Sequence, residues 1–228
     1  MALILNIETA TQVCSVAISL EGKELFSKED QSGQSHARLL TTFISDCLHE
    51  TGYQLHDVDA LAVSKGPGSF TGLRIGVATA KGICYALGKP LISVNTLQSM
   101  ASNFLLKESL SPGTWLCPMI DARRMEVYTA FFNQESGFER PTSAEVIVPG
   151  IFQEILDLHP VVFFGDGMPK VRHIFENQTN VSFKDAIFPS ASGMIRFSED
   201  SYKNGLFEEV AYFEPFYLKD FFTGRQPS

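Results

Sequence analysis

The sequence predicts an α/β protein whose two halves follow one plan, and three observations predict it. An apolar strand ending in a carboxylate opens each half: residues 3–8 ending at Glu8, and residues 116–121 ending at Asp121. After a turn, each returns as a second strand, residues 13–20 and 125–132. Between the halves lies Lys-Glu-Ser-Leu-Ser-Pro-Gly at residues 107–113, a polar, turn-forming linker. The expected division is residues 1–108 and 109–228, with the last segment packing back on the first half.

Residues 2–8, 13–20 and 23–28 read as short strands, with Glu21-Gly22 as a hairpin turn. Residues 35–51 read as an amphipathic helix. Ala37, Leu40, Phe43, Ile44, Cys47 and Leu48 recur at helical spacing, Ser35 stands at the N-cap position, and Gly52 ends the helix. A strand at residues 60–63 leads through Gly66-Pro-Gly68 into a helix over residues 72–87. A strand at 90–94 and a helix from about Thr96 complete the first half. The second half continues with a helix near residues 150–158, a strand at 160–164 ending in Gly165-Asp-Gly167, and a helix over residues 191–204. An aromatic tail at residues 212–218 follows.

The glycine loop invites two nucleotide readings, and both fail. Five residues after Gly66 stands Thr71, where a P-loop needs Gly-Lys. Gly66, Gly68 and Gly72 fall at relative positions one, three and seven, not the one, three and six of the dinucleotide fingerprint, and the next strand ends without a carboxylate. A helix start with Ser69 or Thr71 as cap remains, equally a generic anion site or a plain tight turn. Gly72, Gly76 and Ala80 recur every four residues, so one side of the helix is bare enough for another backbone to lie on it. Leu73, Ile75, Val77, Ile83 and Leu87 make its other sides apolar, so a second covering surface is expected beyond its own sheet.

Composition narrows the function. With 44% hydrophobic and 19% charged residues the chain is an ordinary globular protein. Its net charge of −8 opposes direct gripping of nucleic acid, which needs basic patches. The N-terminal residues read as a strand rather than a signal peptide, and no segment is long enough to span a membrane. Cys14, Cys47, Cys84 and Cys117 are scattered through apolar patterns, as small core residues in a reduced, cytoplasmic setting.

The common catalytic patterns are missing. His49-Glu50 begins like a zincin, but Tyr53 stands where the second His belongs, and no His has another three or four residues away. Gly68-Ser-Phe-Thr-Gly72 has Phe70 where a nucleophile elbow needs Ser. No catalytic and no metal-binding residue is assigned. Duplicated halves, each opening with a strand meander and a carboxylate turn, describe the actin-like ATPase (ASKHA) fold: two duplicated subdomains, each a mixed sheet with flanking helices. In that plan a nucleotide lies between the halves. The residues placed to face its phosphates are Glu8, Thr9, Thr11, Gly66, Gly68, Ser69, Thr71, Gly165, Asp166 and Gly167. The competing reading of Glu8 and Asp121 is that they satisfy backbone groups of their own turns.

Several segments carry a family resemblance: Asn6-Ile-Glu-Thr-Ala-Thr11, Ser35-His36 with its helix, and Lys65-Gly-Pro-Gly-Ser-Phe-Thr-Gly-Leu-Arg-Ile-Gly76. Ser93-Val-Asn-Thr-Leu97, Ile120-Asp-Ala-Arg123, Glu126-Val-Tyr128 and Pro215-Phe-Tyr-Leu218 extend it nearly end to end. The chain resembles the TsaB (YeaZ-type) family, with Glu8 where many relatives have Asp. The resemblance implies a non-catalytic scaffold and activator in the formation of threonylcarbamoyladenosine in tRNA. Its partner would be a TsaD-like catalytic subunit bearing the HxxxH motif this chain lacks, with a TsaE-like ATPase also required. Alone it would form a homodimer, tRNA would reach it only through the complex, and no membrane is involved. It would need no cofactor of its own, with ATP or ADP at the complex interface. A specific heterodimer buries roughly 800 Å² per partner, and the two helices over residues 35–51 and 72–87 can supply that. His36, Leu40, Phe43, Arg74, Val77, Ala78 and Lys81 are the expected partner-facing residues. The alternatives are an actin-like small-molecule kinase and, further off, a metallopeptidase.

Overall fold

The computed structural model describes residues 2–33 and 35–218. The first half contains strands β1 (Leu3–Glu8), β2 (Cys14–Leu20), β3 (Lys23–Asp30), β4 (Ala60–Gly66) and β5 (Leu91–Asn95), with helices α1 (His36–Thr51), α2 (Phe70–Leu87) and α3 (Thr96–Lys107). The second contains β6 (Trp115–Asp121), β7 (Glu126–Phe132), β8 (Phe138–Val146), β9 (Val161–Phe164) and β10 (Val181–Lys184), with α4 (Gln153–Leu156), α5 (Met168–Phe175) and α6 (Ile195–Lys203).

The two sheets have one topology. The first runs β3-β2-β1-β4-β5 and the second β10-β9-β6-β7-β8, the same order read from the opposite edge. In each, the first three strands form an antiparallel meander, and the last two are parallel to the first. The carboxylate-ending strands thus hold equivalent central places.

Alternation along β1 fixes how its sheet is covered. Leu3, Leu5 and Ile7 join Val16, Ile18 and Val63 beneath α1 and α2. Ala2 and Ile4 face the other way, with Ala60, Ala62, Ile92, Val94 and Met194. Asn6 shares that second face and is fully buried, but it is satisfied: Ser198 Oγ donates to its Oδ1 at 2.7 Å. A buried amide without partners would cost about 1–3 kcal/mol.

The segment that covers this second face, a 3-10 turn at Ala191–Met194 followed by α6, comes after all the strands of the second sheet. In exchange, α3 from the first half sets Leu97, Met100, Ala101 and Phe104 against Leu116, Ile120, Phe132 and Phe164 of the second sheet. Ser99 Oγ donates to Ser190 O at 3.0 Å and Asn103 Nδ2 to Phe188 O at 2.7 Å, which fastens the joint.

After α6 the chain returns to the first half. Glu208 N–H donates to Leu91 O at 2.8 Å on the open edge of β5, and Phe216 N–H to Lys65 O at 2.6 Å. The helix expected near residues 150–158 is only the four-residue α4, and several elements are present without a clear sequence pattern. β8 is polar and contains Pro141, α5 is two turns long, and β10 has four residues. The four cysteines are buried and free. Burial pushes the Cys14 thiol up to about 12 and those of Cys47 and Cys84 to about 11, so they are inert core residues.

Candidate functional site

The turn after β1 is folded tightly onto the start of α2. A Cβ added to Gly72 would collide with the Thr9 carbonyl oxygen, one on Gly68 with the Ala10 carbonyl oxygen, and one on Gly76 with Thr9 Oγ1. The bare side of α2 therefore receives a backbone, as its spacing predicts, and that backbone is the chain's own β1–β2 turn. Hydrogen bonds complete the seat. Ser69 N–H donates to Ala10 O at 2.6 Å, Thr9 Oγ1 donates to Gly72 O at 2.8 Å, and Ser69 Oγ caps the helix by accepting from Gly72 N–H. His36 Nε2 reaches Thr11 O at 2.9 Å and Val13 O at 3.2 Å, tying α1 to the same turn. Ser35 stands at the N-cap of α1 without a side-chain capping bond.

This seat corrects the phosphate-facing assignment for the first half. Glu8, Thr9, Thr11 and Gly66 are buried inside the chain, and the Ser69 amide is taken by Ala10. Glu8 Oε1 accepts from Ala10 N–H at 2.7 Å, the turn-satisfying role, while its Oε2 has no partner. Burial raises the Glu8 carboxyl from its ordinary 4.5 to about 7, against the lowering influence of the Ala10 amide and the Ser64 hydroxyl. Ser69 and Thr71 stay exposed, and Gly68 is half-buried against Ala10.

The turn after β6 is closed in its own way. Asp121 Oδ1 accepts from Arg123 N–H at 2.7 Å and is paired with Lys170, whose Nζ also donates to Glu126 O at 2.6 Å. Burial pushes the Asp121 carboxyl up, but the Lys170 bond and the Arg123 amide more than reverse it, leaving it below the ordinary carboxylate range. Asp166 Oδ1 accepts from Asp121 N–H at 3.0 Å, and burial raises its own carboxyl. A Cβ on Gly165 would meet Met119 O and one on Gly167 the Ile120 backbone, so the bareness of both serves packing. In both turns, groups expected to face a phosphate are engaged by the chain itself.

The outer sides of α1 and α2 are the other candidate surface. The two helices lie side by side over the first sheet. Of the seven residues expected to face a partner, Leu40, Phe43 and Val77 are only 1%, 6% and 4% exposed and belong to the core beneath the helices. His36 is spent on the β1–β2 turn, and Lys81 Nζ donates to Ala211 O at 3.2 Å and Phe213 O at 2.9 Å, holding the returning tail. Arg74 is exposed, stacked 3.9 Å from the Phe70 ring centroid, and donates to Tyr217 Oη at 3.3 Å. Ala78 is exposed. Thr41 and Ser45 on α1, and Gly82 and Tyr85 on α2, which the sequence reading does not single out, are also exposed on these helices. They carry no apolar signal except Tyr85, which is 87% exposed.

Among the described residues no three His, Cys, Asp or Glu side chains gather as a metal site, and no helix is long and apolar enough to cross a membrane. Two sheets of one topology, each opening on a carboxylate turn, with helices exchanged across the joint, define an actin-like ASKHA protein. A solved structure of the same fold, an activator of 2-hydroxyisocaproyl-CoA dehydratase from Clostridium difficile with bound ADPNP, superposes with a TM-score of 0.53 at 10% identity, covering 90% of this chain and 97% of that one. Much nearer is a Pseudomonas aeruginosa protein described as similar to peptidase YEAZ: TM-score 0.81, 27% identity, 96% of this chain and 100% of that one. Residues 30–210 match the family model TsaD, tRNA N6-adenosine threonylcarbamoyltransferase. The Escherichia coli tRNA threonylcarbamoyladenosine biosynthesis protein TsaB is 30% identical over 95% of this chain and 94% of its own. The chain belongs to the TsaB family, within this wider group.

Two expectations follow from the closed turn. Gly72→Ala forces the turn off α2 and destabilises the chain by about 2 kcal/mol or more. Gly82→Ala, with nothing within 4 Å of the added methyl, is neutral or stabilising by up to about 1 kcal/mol, both read by urea unfolding. Glu8 binds its proton more tightly folded than unfolded. Its stabilising contribution is complete below about pH 4.5 and is lost as pH rises through about 7. Glu8→Gln, neutral throughout, should therefore exceed the native chain by about 3 kcal/mol at pH 8 and match it at pH 4. An equal difference at both pH values contradicts the assignment.

Proposed function

We propose that this chain is the non-catalytic partner of a TsaD-like subunit in the threonylcarbamoylation of tRNA, docking through the outer face of α1 and α2. The transfer to N6 of the adenosine beside the anticodon takes place on the partner. The closure of both cleft turns supports this reading above all. A fold built to hold a nucleotide between its halves has its first helix start taken by Ala10 O and its second turn filled by the Asp121–Lys170 pair. A chain with that arrangement and no His pair at HxxxH spacing contributes a surface rather than a reaction.

That surface is Thr41 and Ser45 on α1 with Ala78, Gly82 and Tyr85 on α2: the four small residues let a partner's helices approach closely, and Tyr85 offers an exposed ring beside them. The same face serves a homodimer when the chain is alone. A TsaE-like ATPase completes the system. Any nucleotide in the assembly lies at the interface and is held chiefly by the partner's residues. The kinase reading would need the two turns to receive phosphates, and the metallopeptidase reading would need a ligand cluster.

Co-purification with the TsaD-like protein of the same organism, followed by transfer to tRNA with and without this chain, tests the proposal. A stable complex, and transfer that depends on a chain inactive alone, is expected; independence of transfer from the chain refutes it. Ala78→Arg should fold normally, judged by circular dichroism and melting temperature, and weaken pairing at least tenfold. Val77→Arg, aimed into the core, should lose the fold itself.

A further inference from the structure

The β6–β7 turn holds two arginines where backbone preference favours Gly or Asn. Arg123 (φ 67°) and Arg124 (φ 50°) are consecutive left-handed residues, a conformation disfavoured by a Cβ. The β2–β3 turn meets a similar demand with Glu21-Gly22, taking glycine at its second place. The arginine turn is held by its surroundings. Glu126 N–H donates to Arg123 O at 3.2 Å, Ala122 N–H to Glu126 O at 3.1 Å, and Ile147 N–H to Met125 O at 2.8 Å. Asp121 fixes the Arg123 amide from beneath. Local strain kept in place by an over-determined frame is a mark of functional positions.

Both side chains are exposed, and neither guanidinium makes a hydrogen bond or ion pair among the described residues. Asp121, on which the Arg123 charge acts, is itself bonded to Lys170. Lys170 is spent on Asp121, so the two arginines are the cations left exposed at this tip, in a chain whose net charge is −8.

We propose that the Arg123–Arg124 turn contacts the phosphodiester backbone of the nucleic acid on which the complex acts. The inference rests on the reading of the chain as a subunit of a tRNA-modifying assembly. Guanidinium groups match phosphate oxygens in planar, two-bond geometry. Exposed arginines at a turn tip suit an extended polyanion. The overall negative charge is consistent with a local contact inside a complex rather than independent binding.

The test uses the complex of this chain with its TsaD-like partner, assembled with the native chain, with Arg123→Ala/Arg124→Ala, and with Arg123→Lys/Arg124→Lys. Affinity for tRNA is measured by fluorescence anisotropy across a salt series. The alanine pair should bind about tenfold more weakly, with a salt slope shallower by about 1–2, and the lysine pair should stay near native. Unchanged tRNA affinity in an assembled alanine complex overturns this inference alone. A native chain that fails to assemble overturns the functional reading, and this inference with it. Loss of binding of an ATP analogue with tRNA affinity intact assigns the arginines to a nucleotide and also overturns it. Arg124→Gly separates fold from function: relief of the left-handed strain should raise the melting temperature by about 2–4 °C while tRNA binding weakens. An unchanged or lowered melting temperature contradicts the strain on which the argument stands.

Discussion

The Thr9–Ala10 backbone lies directly on the glycine side of α2, and the first half is organised around that contact. Gly68 and Gly72 are bare because carbonyl oxygens occupy the space of their side chains. The contact fixes how closely α2 crosses β1, and it brings Ala10 O to the Ser69 amide. It also buries Glu8 beneath the turn, with one oxygen lacking a partner and its carboxyl raised to about 7. His36 then ties α1 to the same turn, so both helices take their places from one loop. Their inner sides are consumed by the sheet and the turn, and what remains outward is the face assigned to a partner.

The same seat explains how a nucleotide-handling fold becomes a scaffold. An anion at a helix start needs free N–H groups directed at it. Here one of them already meets a carbonyl of the neighbouring turn. In the second half the equivalent place is filled by an ion pair and by glycines packed on backbone. Closure of this kind costs nothing when the chemistry belongs to another subunit, and it stabilises the rigid body on which a partner docks.

Much of the fold was legible because strong patterns carried it. The strands ending at Glu8 and Asp121 are apolar and nearly equivalent, and they do head two sheets of one topology. Ser69, Gly52 and Glu21-Gly22 act as their residue types require. β8, α5 and β10 were illegible because an edge strand with a proline and elements of two turns or four residues carry little periodicity. Three residues expected on the partner face lie in the core for a physical reason. Leu40, Phe43 and Val77 stand out through apolar spacing, and that spacing marks the side turned to the chain's own sheet. One residue along, Ala78 lies about 100° round the helix and is exposed. On the proposed docking face, Thr41, Ser45, Ala78 and Gly82 leave no hydrophobic trace in a sequence, and Tyr85 is a lone aromatic. Lys81 and His36 were misjudged because their partners, the tail carbonyls and the β1–β2 turn, are brought near only by the fold.

Hydrogen–deuterium exchange of the chain, alone and with its TsaD-like partner, tests the central claim most directly. The account predicts added protection in peptides spanning residues 37–50 and 71–86 on complex formation, with the outer strands β3 and β8 unchanged. Protection confined to those edge strands, or none at the two helices while a complex demonstrably forms, would contradict it.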